Sequence, residues 1–143
     1  GLGYTAICSL KRGASEVVSV EKDINVLEIA RHNPWSEELS KVKILLGDAT
    51  ELIKELEGER FDVVILDPPR YSTAPELYTS AFYADLFNIL RPGGRLFHYT
   101  GEPGSRRRGI DLMRSVSKRL RMVGFKVKKL RDLKGVLAFK PRW

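Results

Sequence analysis

The stretch Val63-Val64-Ile65-Leu66-Asp67-Pro68-Pro69-Arg70-Tyr71-Ser72 ends an apolar run in a carboxylate and two prolines. Consecutive prolines fix two φ angles and donate no hydrogen bond, so the Asp67 carboxylate and the carbonyl oxygens beside it form a rigid row of acceptors. An amine nucleophile can use such a row. Acceptors that hold its hydrogens aim its lone pair along an in-line displacement and can take the proton. The plainer reading is a strand ending in a proline turn. A second set of residues lies upstream. Gly1-x-Gly3-x-x-Ala6 has the composition of a turn whose bare backbone N–H groups approach a ligand at a helix N-terminus. Glu21 lies 20 residues after Gly1, where a carboxylate can accept from both hydroxyls of an adenosine ribose. In Gly47-Asp48-Ala49 the carboxylate can meet the exocyclic amine of an adenine, or simply serve a turn.

These residues need parallel strands behind them. Apolar runs at Val17 to Val20, Val42 to Leu46, Phe61 to Leu66 and Arg95 to Tyr99 are nearly continuous in hydrophobicity, as in strands covered on both faces, and helical patterns separate them. The helices are predicted over Tyr4 to Leu10, Ile24 to His32 capped by Asp23, and Glu51 to Leu56 closed by Gly58. A fourth is capped by Thr79 or Ser80 and runs through Leu90 to the stop Arg91-Pro92-Gly93-Gly94, with Phe82, Tyr83, Leu86, Phe87 and Leu90 as core. After a Gly/Ser/Arg loop over Gly101 to Gly109, an amphipathic helix spans Ile110 to Val123. Two strands, Phe125 to Leu130 and Val136 to Lys140, are joined by so few residues that they must form an antiparallel hairpin. The expected fold is α/β, a doubly wound, mostly parallel, Rossmann-like sheet with a C-terminal antiparallel hairpin. Residues 1–143 are read as one domain. Because the glycine turn normally hangs from a strand and none precedes it, that domain is expected to be truncated at its N-terminus and to lack its first strand.

Composition narrows the partners. With 43% hydrophobic and 30% charged residues the chain reads as a globular domain, and no apolar run approaches the roughly 18 residues of a membrane span. One cysteine, Cys8, makes neither an internal disulfide nor a metal cluster, which points to the cytoplasm and to no metal. Cys8 itself is expected in the core, and Trp35 as a loop anchor, with a stacking platform as the alternative. His98 and Tyr99 stand near a strand end, where such residues either face the crevice or pack and bond locally. Residues 1–100 carry 11 Lys/Arg against 15 Asp/Glu, whereas residues 101–143 carry 14 against 3. Such a basic third is an electrostatic footprint for a polyanion, with a solvated surface as the alternative. Arg106, Arg107 and Arg108 precede the helix on which Arg114, Lys118 and Arg121 share one face, a candidate nucleic-acid surface.

The successive motifs GLGYTA, VEKD, GDATEL, DPPR and LRPGGRLFHYTG resemble those of class I S-adenosylmethionine-dependent methyltransferases over essentially the whole chain. Archaeal predicted methyltransferases with a similar GLGYTA are the nearest suggested relatives. The resemblance implies a seven-stranded sheet whose last hairpin inserts an antiparallel strand, and S-adenosylmethionine as cofactor. It also implies a cofactor-binding set of Gly1 and Gly3 at the methionine part with Tyr4 and Thr5 in the same turn, Glu21 and Lys22 at the ribose, Asp48 and Ala49 at the adenine, and Asp67 at the reacting centre. Asp67, Pro68, Pro69, Arg70 and Tyr71 form the catalytic set. The segment PELYTSAFYADLFNILRPGG is similar also to polyamine synthases and to the methyltransferase domain that modifies an aminomethyl group on wobble uridine of tRNA. One departure stands out. Amino-methyltransferases of nucleobases carry an aromatic residue after the two prolines to stack an extruded base, and here Arg70 takes that place with Tyr71 beside it. Arg70 suits a substrate phosphate or carboxylate, or a surface ion pair.

The activity expected is methyl transfer to a nitrogen of tRNA or rRNA. Three alternatives stand beside it: an aminopropyltransferase of the polyamine type, for which only Asp67 and Glu76 offer carboxylates; a non-catalytic module that holds RNA or a partner; and, least suited to the Asp67 row, a nicotinamide-dependent dehydrogenase. Ring-carbon methylation through a cysteine adduct is disfavoured, since Cys8 sits in the first helix.

Overall fold

A computed structural model describes residues 1–58, 61–101 and 111–143. The chain divides into two compact units, Gly1–Glu55 and Leu56–Trp143.

The first unit starts from a glycine that nothing else could replace. Gly3 takes φ +85°, a region side chains avoid, and a Cβ there would fall 2.5 Å from Leu39 Cδ1. Helix α1 (Tyr4–Lys11) follows directly and buries Ala6 and Ile7 against Ala30, Leu39 and Val42. Strand β1 (Val18–Glu21) pairs in parallel with β2 (Lys43–Leu46), setting Glu21 opposite Leu46. Between them runs α2 (Ile24–His32), whose Asp23 cap accepts from the Asn25 amide at 2.8 Å. The expected stop at Asn33-Pro34 does end α2, yet the Asn33 side chain caps in turn, accepting from the Trp35 amide at 3.0 Å. The chain therefore continues in 3₁₀ turns over Pro34–Lys41, which no apolar periodicity announces. There Ser36 and Leu39 turn inward while Trp35 is 81% exposed, so Trp35 anchors nothing. Cys8 likewise corrects the expectation of a core residue, since it lies on the exposed side of α1. Helix α3 (Ala49–Glu55) closes the unit.

In the second unit the strand order is β3-β4-β6-β5. Strand β3 (Phe61–Leu66) runs parallel to β4 (Leu90–Tyr99), placing Leu66 beside His98. Strand β6 (Gly135–Phe139) is antiparallel to β4 and to β5 (Lys126–Leu130), which is the expected hairpin. Arg91-Pro92-Gly93-Gly94 does not precede the strand as expected but interrupts it. Pairing jumps from Phe61 with Leu90 to Val63 with Arg95, and Gly93 at φ +82° makes the excursion possible. Helix α4 (Ser80–Ile89) starts at Thr79, whose hydroxyl accepts from the Phe82 amide at 3.2 Å. At its other end the Lys140 ammonium donates to the Phe87 and Leu90 carbonyls at 2.6 and 2.8 Å, a cation on the negative end of the helix. Helix α5 (Leu112–Val123) runs from Asp111, which accepts from the Arg114 amide, to Gly124 at φ +118°. Tyr83, Leu90, Leu96, His98, Val116, Leu120 and Val136 are fully buried.

The two faces of α5 give a direct check. Leu120 is 0% and Met122 71% exposed, so Leu120→Ala should cost about 2 to 5 kcal/mol in urea unfolding and Met122→Ala under about 0.5. Equal costs would mean that α5 packs on a different face.

Candidate active site

The predicted cofactor residues of the first unit gather at the C-terminal ends of its two parallel strands. Glu21 ends β1. One of its carboxylate oxygens accepts from the Asp23 amide at 2.9 Å and the other meets the Gly1 nitrogen, so the glycine turn and the ribose candidate are neighbours. Partial burial raises the Glu21 pKa, but hydrogen bonds, that of the Asp23 amide foremost, outweigh it and hold the group below the usual glutamate value. The Glu21 carbonyl accepts from the Gly47 amide at 2.9 Å, which brings the loop after β2 against the end of β1. On that loop Asp48 Oδ2 accepts from Lys22 Nζ at 2.8 Å, and Oδ1 from the Thr50 amide and hydroxyl at 2.9 and 2.7 Å. Lys22 first, then Thr50, pull the Asp48 pKa down to about 2. One oxygen of Asp48 thus serves the first turn of α3, as a turn residue does, and the other carries an exposed ion pair, a cheap one to open. Ala49 opens α3. Tyr4 and Thr5 lie on the exposed part of the first turn of α1, where the Tyr4 hydroxyl accepts from Asn33 Nδ2 at 2.6 Å.

In the second unit Asp67 follows β3 directly and its side chain is exposed. Pro68 and Pro69 carry the chain away from the sheet edge. The Arg70 carbonyl closes the next turn, accepting from the Thr73 and Ala74 amides at 2.8 and 3.1 Å. Arg70 and Tyr71 both face solvent. Beneath this loop lies a group of rings that sequence reasoning missed. Tyr78, at the end of a 3₁₀ turn over Pro75–Tyr78, donates its hydroxyl to the Pro69 carbonyl at 2.7 Å. Its ring stands 5.4 Å from Tyr71, edge to face, and 5.1 Å from His98. Pro69 is therefore already engaged, which narrows the row of acceptors to the Asp67 carboxylate and the Pro68 carbonyl. A tyrosine nine residues past a proline gives no local signal, because only the fold brings them together.

His98 packs inward instead of facing a crevice. It is 0% exposed. Nδ1 lies 2.9 Å from the Tyr99 carbonyl and Nε2 3.0 Å from the Tyr83 hydroxyl. A carbonyl only accepts, so Nδ1 carries the proton and Nε2 accepts from Tyr83, the arrangement of a neutral imidazole. Burial depresses its pKa to about 4, against a smaller opposing effect of the Tyr99 carbonyl. The group is structural and supplies no base near pH 7.

Arg114, Lys118 and Arg121 are exposed on α5, opposite the buried Val116, Ser117 and Leu120. Arg106, Arg107 and Arg108 lie outside the described residues. Among the described residues no three His, Cys, Asp or Glu side chains are grouped to hold a metal ion, and no helix is long and apolar enough to cross a membrane.

Residues 19–135 match the model of a family described as S-adenosyl-L-methionine-dependent methyltransferase. The chain is 57% identical, over 99% of its length, to uncharacterized protein MJ1233 of Methanocaldococcus jannaschii, of which it covers 50%. It is 37% identical, over 68% of its length, to ribosomal RNA large subunit methyltransferase I of Aeromonas hydrophila, covering 27% of that protein. The chain thus spans half or less of the curated relatives it matches. The crystal structure of MNMC2 from Aquifex aeolicus superposes with a TM-score of 0.69 at 26% identity, over 96% of this chain and 50% of the other.

The buried imidazole predicts a pH dependence. With a folded pKa near 4 and an unfolded one near 6.5, the unfolded chain binds the extra proton first as pH falls. The stability His98 confers is complete above about pH 6.5 and drains away below it, by about 2 kcal/mol at pH 5. Urea unfolding of the protein between pH 7 and 5 should show this loss, and His98→Asn, though less stable throughout, should flatten it. An unchanged slope in the variant would show that His98 is not the titrating group.

Proposed function

The chain belongs to the S-adenosyl-L-methionine-dependent methyltransferase family, and from that premise we propose that the protein methylates a nitrogen of an RNA substrate. The observation that carries this reading is Asp67: an exposed carboxylate at the end of a parallel strand, followed by two prolines. A reacting amine needs acceptors for its hydrogens and a route to solvent for its proton, and Asp67 offers both.

The residues of the first unit fit the cofactor. A Cβ at Gly1 would meet nothing within 4 Å, and Gly3 holds a left-handed φ that side chains rarely adopt, so the turn suits bare backbone at a helix N-terminus. Glu21 suits two vicinal hydroxyls. Asp48 Oδ2 suits an exocyclic amine once the exposed Lys22 swings aside, which costs little. When bound, S-adenosylmethionine supplies a methyl carbon on a sulfonium that departs as a neutral thioether. Asp67 accepts an N–H of the substrate, directs the nitrogen lone pair and takes the released proton. Tyr71, with an exposed ring, can stack on a base, and Arg70 can pair with a phosphate.

Two observations support RNA. A relative at 37% identity is a ribosomal RNA methyltransferase by name, and Arg114, Lys118 and Arg121 form an exposed basic row on α5. The second unit contains no cysteine, so a thiol adduct to a ring carbon has no nucleophile there. The polyamine-type and non-catalytic readings make different predictions for the same assay.

Full-length protein should label RNA from methyl-labelled S-adenosylmethionine and should leave polyamines unlabelled when given aminopropyl-labelled decarboxylated S-adenosylmethionine. Asp67→Ala should cut transfer by at least about 100-fold while the cofactor Kd moves less than about threefold. Equal loss of both would refute the assigned role. Binding without transfer in the unaltered protein would favour the non-catalytic module. Replacing Arg114, Lys118 and Arg121 together by Ala should weaken RNA binding and flatten its salt slope by about 0.7 for each phosphate no longer neutralised. A slope unchanged by the triple variant would place the RNA elsewhere.

A further inference from the structure

We propose that Tyr78 is a positioning residue for the methyl acceptor: its hydroxyl pins the Pro69 carbonyl and so fixes the direction of the Asp67 carboxylate and the Pro68 carbonyl. The inference rests on the reading of Asp67 as the amine's acceptor.

Torsions define what has to be fixed. In Asp67-Pro68-Pro69 the two rings hold φ near −65°, so ψ is the soft torsion left at each proline. At Pro69, ψ sets where the carbonyl points. The 2.7 Å bond from Tyr78 Oη holds that carbonyl, and the Arg70 carbonyl is held by the Thr73 and Ala74 amides. The loop's exit from the sheet is therefore fixed at two successive peptide planes, and what remains is the acceptor pair before them.

Tyr78 is itself held on every side. It is 3% exposed. Its carbonyl accepts from Arg119 Nη1 of α5 at 3.1 Å, and its ring packs on His98 and against Tyr71. His98 sits beside Leu66 in the strand register, one residue before Asp67. A phenylalanine would fill the same space without the cost of burying a hydroxyl, so packing alone does not require this tyrosine. Burial, reinforced by the Asp67 charge, pushes the phenol up to about 12, which keeps it a neutral donor throughout the working range.

Tyr83 supplies the control. Its hydroxyl is also buried and also bonded, but to His98 Nε2 at 3.0 Å and not to the Asp67 loop. Tyr78→Phe should lower kcat about 10- to 100-fold with KM for RNA and the cofactor Kd nearly unchanged, because misplacement at the reacting centre costs rate and not ground-state binding. Tyr83→Phe should lose stability and keep kcat within about twofold. Amide hydrogen exchange at Tyr71 to Ala74 gives a readout free of turnover: at least about 10-fold faster in Tyr78→Phe and unchanged in Tyr83→Phe. Wild-type kcat in Tyr78→Phe beside an inactive Asp67→Ala would overturn the positioning role alone, as would unchanged exchange in the loop. Wild-type transfer by Asp67→Ala would instead remove the acceptor reading on which the role rests.

Discussion

Two prolines in succession present carbonyl oxygens and no N–H, so the chain can hold them only by donors that reach those oxygens. Asp67-Pro68-Pro69 imposes that requirement at the end of β3, and the second unit is arranged around it. The 3₁₀ turn Pro75–Tyr78 brings a phenol to Pro69. The α5 side chain of Arg119 holds that turn in place. Below, a neutral histidine on β4 packs its ring on Tyr78 and accepts from a tyrosine on α4, and its own N–H faces the Tyr99 carbonyl. Among the described residues no buried side-chain nitrogen or oxygen lacks a partner, as a low-dielectric interior demands.

The cofactor end meets the opposite problem. Under the proposed cofactor roles, Glu21 and Asp48 recognise hydroxyls and an amine as ionised, partly accessible groups. Both are stabilised by local donors, Asp23 and Thr50 amides among them, which lower their pKa values without deep burial. The exposed Lys22 neutralises Asp48 in a pair that a ligand can displace at small cost. Beneath Asp67, by contrast, the bonds to Pro69 and between Tyr83 and His98 are neutral, and the Arg119 guanidinium meets the Tyr78 carbonyl.

Much of this is legible in the sequence because it is local. Asp23 and Thr79 cap helices within three residues of themselves, Gly124 ends α5 as a left-handed residue, and the short link between β5 and β6 forces a hairpin. The placement of Glu21, Asp48 and Asp67 at or just after strand ends is legible from the apolar runs that precede them. The failures are failures of direction. Residue type alone points Cys8 to the interior and makes Trp35 a loop anchor, yet the phase of α1 and of the 3₁₀ turns sends both outward. Arg91-Pro92-Gly93-Gly94 reads as a stop, but Leu90 already pairs with Phe61, a long-range register no dipeptide announces. The Tyr78, His98 and Tyr83 chain joins three separate elements, so no spacing in the sequence encodes it.

The family fixes the methyl donor, and the fold leaves the acceptor to the site, since one scaffold serves many chemistries. The most direct measurement is nucleoside mass spectrometry on RNA methylated by the full-length protein with isotopically labelled S-adenosylmethionine. The labelled methyl should sit on a nitrogen of a single nucleoside and vanish with Asp67→Ala. Label on a ring carbon or a ribose oxygen, or undiminished by that substitution, would contradict the role given to Asp67 and the two prolines.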